Sequence, residues 1–235
     1  VHFMIKTHKL PLRTMPVRTQ IETDFSVRSF RGGYDDNFTY LLTCMRTRNQ
    51  CLVDSAVPYN QIEPFINSGL ILILITHSHH DHIAYLNDYI KHHPNLVVVC
   101  HPTVSKQLKV HYPKPVEDGN TVTVGQLSVD VLHTEGHNLD SICYLVENII
   151  FTGDTLFVGR TGRTVSAGSN TDALYKSVYE KLLTLPEETI IYPGHDYGPD
   201  PSITIGENIK ISPLLRADDK TDFKKRMADF ETNRT

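Results

Sequence analysis

LILILITHSHHDH, residues 70–82, is the stretch on which the reading of this chain turns. Its first six residues are apolar at every position, the pattern of a strand covered on both faces. The strand closes at Thr76, and four metal-ligand side chains follow at once: His77, His79, Asp81 and His82. A buried strand is rigid, so it delivers all four into one loop from a fixed base. Alternate residues of an extended segment project to the same side. His77 and His79 can therefore reach one ion while Asp81 and His82, a step further on, face a second. The plain structural alternative is a polar helix cap with solvated histidines, and four ligand types in six residues after an all-apolar strand make an odd cap.

Three single positions extend the set. His137 in EGHNLDS, Asp154 in FTGDTLF and His195 in YPGHDYG each come at or between expected strand ends, in glycine-containing turns. A lone histidine is more often a satisfied polar group than a ligand, and Asp154 alone could be an Asx-turn residue. Their repeated placement on strand-end loops, where α/β enzymes gather catalytic groups, argues for one shared site. Thirteen histidines is a high count for 235 residues, and histidine is the commonest metal ligand. His92 and His93 end an expected helix, His101 and His133 end strands, and His2, His8 and His111 lie in polar surroundings, so surface or capping roles are expected for these.

Working outward, the rest of the chain alternates strands and helices without a repeat, a low-complexity tract or a linker, which predicts a single domain over residues 1–235. Strands are expected at 38–45, 50–55, 70–76, 96–101, 127–133, 142–147, 149–152 and 189–192. Helices are expected at 59–67, 82–92 and 171–185, the last carrying Leu174, Val178, Leu182 and Leu185 at helical spacing and stopping at Pro186. A short helical tail over 218–233 places Phe223, Met227 and Phe230 on one face.

Composition excludes several classes. A hydrophobic share of 40% and a charged share of 21% are those of an ordinary globular protein, without an apolar run of membrane-span length. The net charge of −4 leaves no basic footprint for nucleic acid. The first sixteen residues lack an uninterrupted apolar segment with a cleavage site. Cys44, Cys51, Cys100 and Cys143 form no CxxC pair and lie mostly in apolar runs, which predicts buried free thiols in a reducing cytoplasm. Oligomeric state stays open, a homodimer included.

The order HxHxDH, GH, GD, GH, running from His77 to His195, resembles the metallo-β-lactamase superfamily. The resemblance implies an α/β fold, an αββα sandwich of two mixed β-sheets flanked by helices, with the metal site on the strand edge between the sheets. It implies His77, His79 and His137 around one metal, Asp81, His82 and His195 around the other, and Asp154 bridging. YDDNFTYLL and FTGDTLF are similar to the glyoxalase II and persulfide dioxygenase branch. LYKSVYEKLLTLPEETIIYPGHDYG and SITIGENIKISPLL resemble the dioxygenases, and with 40 residues after His195 the long helical extension that glyoxalase II proteins usually carry is not expected.

What the branch implies is a metal-dependent enzyme. As a sulfur dioxygenase on a glutathione persulfide-type substrate it would hold one Fe(II) through His77, His137 and Asp154. As a glyoxalase II-like thioester hydrolase it would hold one to two Zn(II) or other divalent ions, with a hydroxide nucleophile. The dioxygenases keep the HxHxDH residues, so the motif alone does not choose. Asp81 and Tyr197 are the expected catalytic groups beside the metal. Arg163, in GRTGRT, aligns with a family arginine near the thiol pocket and suits a substrate carboxylate. Tyr197 is expected to donate to a ligand carboxylate or to substrate. Thr161 stands where the dioxygenases often have cysteine, and TVSAGS replaces their TDFQ, both departures on the substrate side.

Overall fold

The computed structural model describes residues 18–21, 24–67 and 69–233; His2, His8 and the N-terminal segment lie outside them. Seven strands form one sheet in sequence order: β1 (Arg18–Ile21), β2 (Phe25–Gly32), β3 (Asn37–Cys44), β4 (Gln50–Val53), β5 (Leu70–Leu74), β6 (Val97–Cys100) and β7 (Pro113–Pro115). The first four pair antiparallel, and β5 to β7 join in parallel. The second sheet contains β8 (Thr121–Val124), β9 (Leu127–His133), β10 (Ile142–Val146), β11 (Ile149–Gly153), β14 (Ile190–Pro193) and β15 (Ile203–Thr204). In it β11 and β14 are parallel and the other pairs antiparallel. A hairpin of β12 (Leu156–Phe157) and β13 (Arg160–Thr161) follows β11.

Three apolar layers hold these parts together. Between the sheets lie Phe38, Leu42, Leu72 and Leu74 from one side and Val129, Tyr144 and Phe151 from the other. On the outer face of the first sheet, Ile73 and Ile75 pack with Leu86 and Tyr89 of helix α2 (Leu86–His92), near α1 (Tyr59–Ile62) and α3 (Pro102–Ser105). On the outer face of the second sheet, Cys143, Ile150 and Ile191 meet Leu174 of α4 (Thr171–Lys176), Ile205 of α5 (Ile205–Ile211), and Phe223 and Met227 of α6 (Lys220–Thr232). The result is the expected αββα sandwich of two mixed sheets. The all-apolar β5 is explained directly: its alternate residues face the two cores, and each buried Leu or Ile side chain contributes about 1.5–3 kcal/mol.

Several elements differ from the sequence expectations. The helix expected at 82–92 begins only at Leu86, because residues 82–85 turn to close the ligand loop: Ser55 N–H donates to the His82 carbonyl and Tyr85 N–H to that of Ser55. The helix expected at 171–185 is α only to Lys176, then a π segment over Ser177–Lys181 and a 3₁₀ turn over Leu182–Thr184. β2, β8, α5 and the hairpin β12–β13 were outside the expected elements. The four cysteines are buried and free. His101 caps α3 by accepting from Thr103 N–H. Among the described residues no helix is long and apolar enough to cross a membrane.

Candidate metal centre

The site forms where the ends of β5, β11 and β14 meet along one edge of the sandwich. Thr76, just past β5, stitches the sheets together: its carbonyl accepts from Ile142 N–H at 2.7 Å, and its own N–H donates to Asp54 Oδ1 at 2.8 Å. His77 to His82 then turn sharply, with His82 N–H on the His79 carbonyl. His137 sits in the turn from β9 to β10, behind Gly136, whose φ of +142° and close approach to α4 exclude a side chain: a Cβ there would lie 2.3 Å from Leu174 Cα. Asp154 follows β11 and His195 follows β14. Gly194 precedes His195 because a Cβ would come within 2.4 Å of Asp154 Oδ1 and 2.7 Å of His82 Cε1.

All seven expected donors converge. His77, His79 and His137 form one cluster, Asp81, His82 and His195 another, and His77, His82 and Asp154 link them, with the donor atoms of each trio within 4.8 Å of one another. Asp154 stands in the middle: Oδ1 is 3.1 Å from His82 Nε2, and Oδ2 is 3.4 Å from His195 Nε2 and 3.5 Å from His137 Nε2. The remaining ring nitrogens are held from behind. His195 Nδ1 donates to the Asp35 carbonyl at 2.7 Å, His137 Nδ1 to the Arg163 carbonyl at 3.0 Å, and His82 Nδ1 to Asp54 Oδ2 at 2.7 Å. Thr76 spends its hydroxyl proton on Asp54 Oδ2, so it accepts from His77 Nδ1 at 3.2 Å.

This proton count suits a cation. A neutral ring that donates from Nδ1 keeps a bare lone pair on Nε2, so four rings aim lone pairs inward. His82 and His195 bring theirs to 3.2 Å, and those of His77 and His137 each stand 3.0 Å from His79 Nδ1. Lone pairs at that range repel unless a proton or a metal lies between them. Donors that share one ion on bonds of about 2.0–2.1 Å are roughly 3.0–3.4 Å apart, which is the spacing present. Asp154 Oδ1 is moreover buried without a well-formed hydrogen bond, with His82 Nε2 3.1 Å away, and a metal bond would satisfy it.

Electrostatics agree. Burial, followed by the charge of His82, pushes His77 well below the usual imidazole range, and burial also lowers His79. Burial also acts to lower His82 and His195, but Asp154 overcomes it, raising His82 well above its ordinary value and His195 to about 9. Burial works to raise Asp154 and Asp81; their histidine neighbours nonetheless hold both carboxyls far below the carboxylate range. Without a metal the protein therefore keeps protons on His82 and His195, and a cation would displace them.

Three supporting residues were missed by sequence reasoning. Asp54 lies under both Thr76 and His82. Asn37, fully buried, donates to Asp81 Oδ2 at 2.8 Å and lies 3.3 Å from His195 Nε2. Asp140, buried, accepts from Ser78 N–H at 2.8 Å between two ligand positions. Their only signal was placement, an acid at the end of β4 and the acid-rich YDDN turn before β3.

A cleft of about 180 Å³ lies over the donors, walled by His79, Asp81, His137, Arg163, Val165 and Tyr197. Arg163 is an exposed residue of this wall, and its carbonyl holds His137. The Tyr197 hydroxyl, expected on a ligand carboxylate or on substrate, instead donates to Asp35 Oδ2, because the YDDN turn carries that carboxylate closer. Its ring stacks on His195 with centroids 4.6 Å apart, and the Arg160 guanidinium lies 4.1 Å over its centroid. Thr161, the residue at the family's cysteine position, is buried and bonds Met227 Sδ of α6, away from the donors.

Comparison with known proteins agrees with this geometry. The chain is 35% identical over 176 residues to a probable hydroxyacylglutathione hydrolase of Schizosaccharomyces pombe, a match covering 70% of this chain and 66%, just under two thirds, of that protein. It is 29% identical over 184 residues to the mitochondrial persulfide dioxygenase ETHE1 of Homo sapiens, covering 76% of this chain and 71% of that one. The crystal structure of ETHE1 from Myxococcus xanthus superposes with a TM-score of 0.77 at 31% identity, covering 89% of this chain and 92% of that one. The sequence profile of the metallo-beta-lactamase superfamily matches residues 53–195, a span that opens at the end of β4 and closes on the last of the converging donors, and the chain belongs to that superfamily.

Proposed function

We propose that this protein is a sulfur dioxygenase acting on a low-molecular-weight persulfide, with one ferrous ion held by His77, His137 and Asp154. The observation that carries this reading is the superposition on ETHE1 of Myxococcus xanthus over nine-tenths of both chains, taken with the persulfide dioxygenase name of the human relative. When bound, ferrous iron supplies redox chemistry and open positions for a sulfur and for oxygen.

The chain's own residues do the rest. Thr76 and the Arg163 carbonyl fix His77 and His137 in the tautomer that offers Nε2. Asp81, kept ionised by His195 and Asn37, accepts the S–H hydrogen bond of the substrate and orients the sulfur. Tyr197, tied to Asp35, forms the stacked wall that keeps His195 in place. Arg163, at the mouth, pairs with a substrate carboxylate.

The completeness of the second donor set favours a second reading. Asp81, His82 and His195 with Asp154 can hold another ion, and two zinc ions would supply a water nucleophile and polarise a thioester carbonyl. The deciding experiment sets oxygen uptake by iron-loaded protein on glutathione, alkyl and aryl persulfides beside thiol release by zinc-loaded protein from the matching thioesters. Uptake that disappears in His137→Ala is the expected result. Thiol release without oxygen uptake replaces the dioxygenase with the hydrolase.

A further inference from the structure

The cleft over the donors is small. Its volume of about 180 Å³ is below the roughly 300–1,000 Å³ of sites that enclose a whole small molecule. Only the sulfur end of a substrate and its first carbons enter, and the body must lie on the rim. That rim has a distinct chemistry. The described residues leave six large apolar side chains exposed, and three of them stand here: Tyr34 at 67%, Leu139 at 59% and Val165 at 64% exposure.

Val165 belongs to the cleft wall itself. Leu139 follows His137 by two residues, and a Cβ on Gly168 would lie 4.0 Å from its Cδ1, so the loops of Leu139 and Val165 adjoin. On another side Tyr34 precedes Asp35 of the wall, and its ring lies 5.4 Å from that of His80, between ligand positions 79 and 81. Exposed apolar groups that gather in one place mark a surface meant to be covered. Here the covering group is the molecule whose sulfur occupies the cleft. Among the described wall residues Arg163 is the one lysine or arginine. A tripeptide thiol would lay two carboxylates, an ammonium and two amides over this surface, where Arg163 is the one cation of the wall and the Arg160 guanidinium is already stacked over Tyr197, whereas a hydrocarbon body would cover the exposed Val165 and Leu139 side chains directly.

We infer that the sulfur substrate of this site carries an apolar carbon body, an alkyl or aryl chain bearing at most one carboxylate, with Val165 and Leu139 as the specificity-determining residues and Arg163 as the carboxylate partner. The inference rests on the sulfur-substrate reading of the site but not on the fate of the sulfur. Its test is therefore binding, not turnover.

The probes are ω-(methylthio)alkanoates with two to six methylenes, and S-methylglutathione, titrated calorimetrically into zinc-loaded wild type, Val165→Asp and Leu139→Asn. The expected result is affinity that rises with each methylene, by at most about three- to four-fold, the value for fully burying one CH₂. The longest alkanoates should bind more tightly than S-methylglutathione, and Val165→Asp should erase the chain-length dependence. Zinc content and thermal midpoint show that each variant is folded and loaded, and Leu139→Asn provides a second variant should Val165→Asp fail to load. Tighter binding of S-methylglutathione than of every alkanoate, or alkanoate affinity indifferent to chain length, overturns the inference. Chain-length dependence without oxygen uptake on any persulfide overturns the dioxygenase instead and leaves the apolar specificity standing.

Discussion

Replacing Asp54 by asparagine separates metal binding from stability in a way the structure makes quantitative. Asp54 is 2% exposed and accepts three hydrogen bonds, from Thr76 N–H at 2.8 Å, Thr76 Oγ1 at 2.8 Å and His82 Nδ1 at 2.7 Å. Its φ of +58° is left-handed, a conformation asparagine adopts readily, so Asp54→Asn brings no new backbone strain. The amide oxygen keeps Thr76 N–H satisfied, and the amide nitrogen replaces Oδ2, facing Thr76 Oγ1 and His82 Nδ1. A donor there forces His82 to move its proton to Nε2, the atom that points at His195 and Asp154. The loss of a charge-assisted bond costs about 1.5–3 kcal/mol of stability at most. Blocking a donor through the group behind it lowers metal affinity about 10–100-fold, or 1.4–2.7 kcal/mol. The assay is chelator competition for zinc beside thermal unfolding of metal-free protein, with the His82 tautomer read from ring nitrogen shifts. Wild-type affinity for both ions in a variant whose His82 carries its proton on Nε2 would refute the reasoning.

Four further outcomes follow. Asn37→Ala removes the buried donor to Asp81; chelator competition should show about tenfold weaker binding at the second donor set, with affinity at His77 and His137 unchanged. Because His195 is raised to about 9, its proton stabilises the metal-free protein fully below the unfolded value of about 6.5, and that contribution fades as pH rises through 9. Metal must expel this proton and that of His82, so zinc affinity at this set should climb at least about tenfold per pH unit between 7 and 9, and a flat profile contradicts the assignment. Burial pushes Cys100 up to about 11 and Cys143 to about 12, so mass spectrometry after iodoacetamide treatment at pH 8 should find both unmodified in folded protein. Phe223→Ala in α6 should cost about 3–5 kcal/mol in denaturant unfolding, since Phe223 is fully buried against Tyr175 and Tyr179.

What could be read from the sequence, and what could not, divides along a physical line. The seven donors were legible because four of them crowd into one loop after an all-apolar strand and the other three recur in glycine turns at strand ends, a combined placement with few structural uses. β5 was legible because burial on both faces removes every polar residue from a strand. Asp54 and Asn37 were not, since their roles exist only across long separations: the partner of Asp54 lies 28 residues on and that of Asn37 lies 44. The break at Ser177 was hidden for the same reason. Leu174, Val178 and Leu182 keep a helical period through it and all are buried. Tertiary bonds accompany the change to a π turn instead: Ser177 Oγ donates to the Glu135 carbonyl at 2.7 Å, and Lys181 Nζ to the His133 carbonyl at 2.7 Å and Asp118 at 2.9 Å. Those carbonyls belong to the strand end and turn that carry His137. The irregular helix thus clamps a ligand loop. Its departure from α geometry is where local propensity yields to the position of the candidate donors, much as Asp54 accepts a left-handed backbone in order to stand under His82.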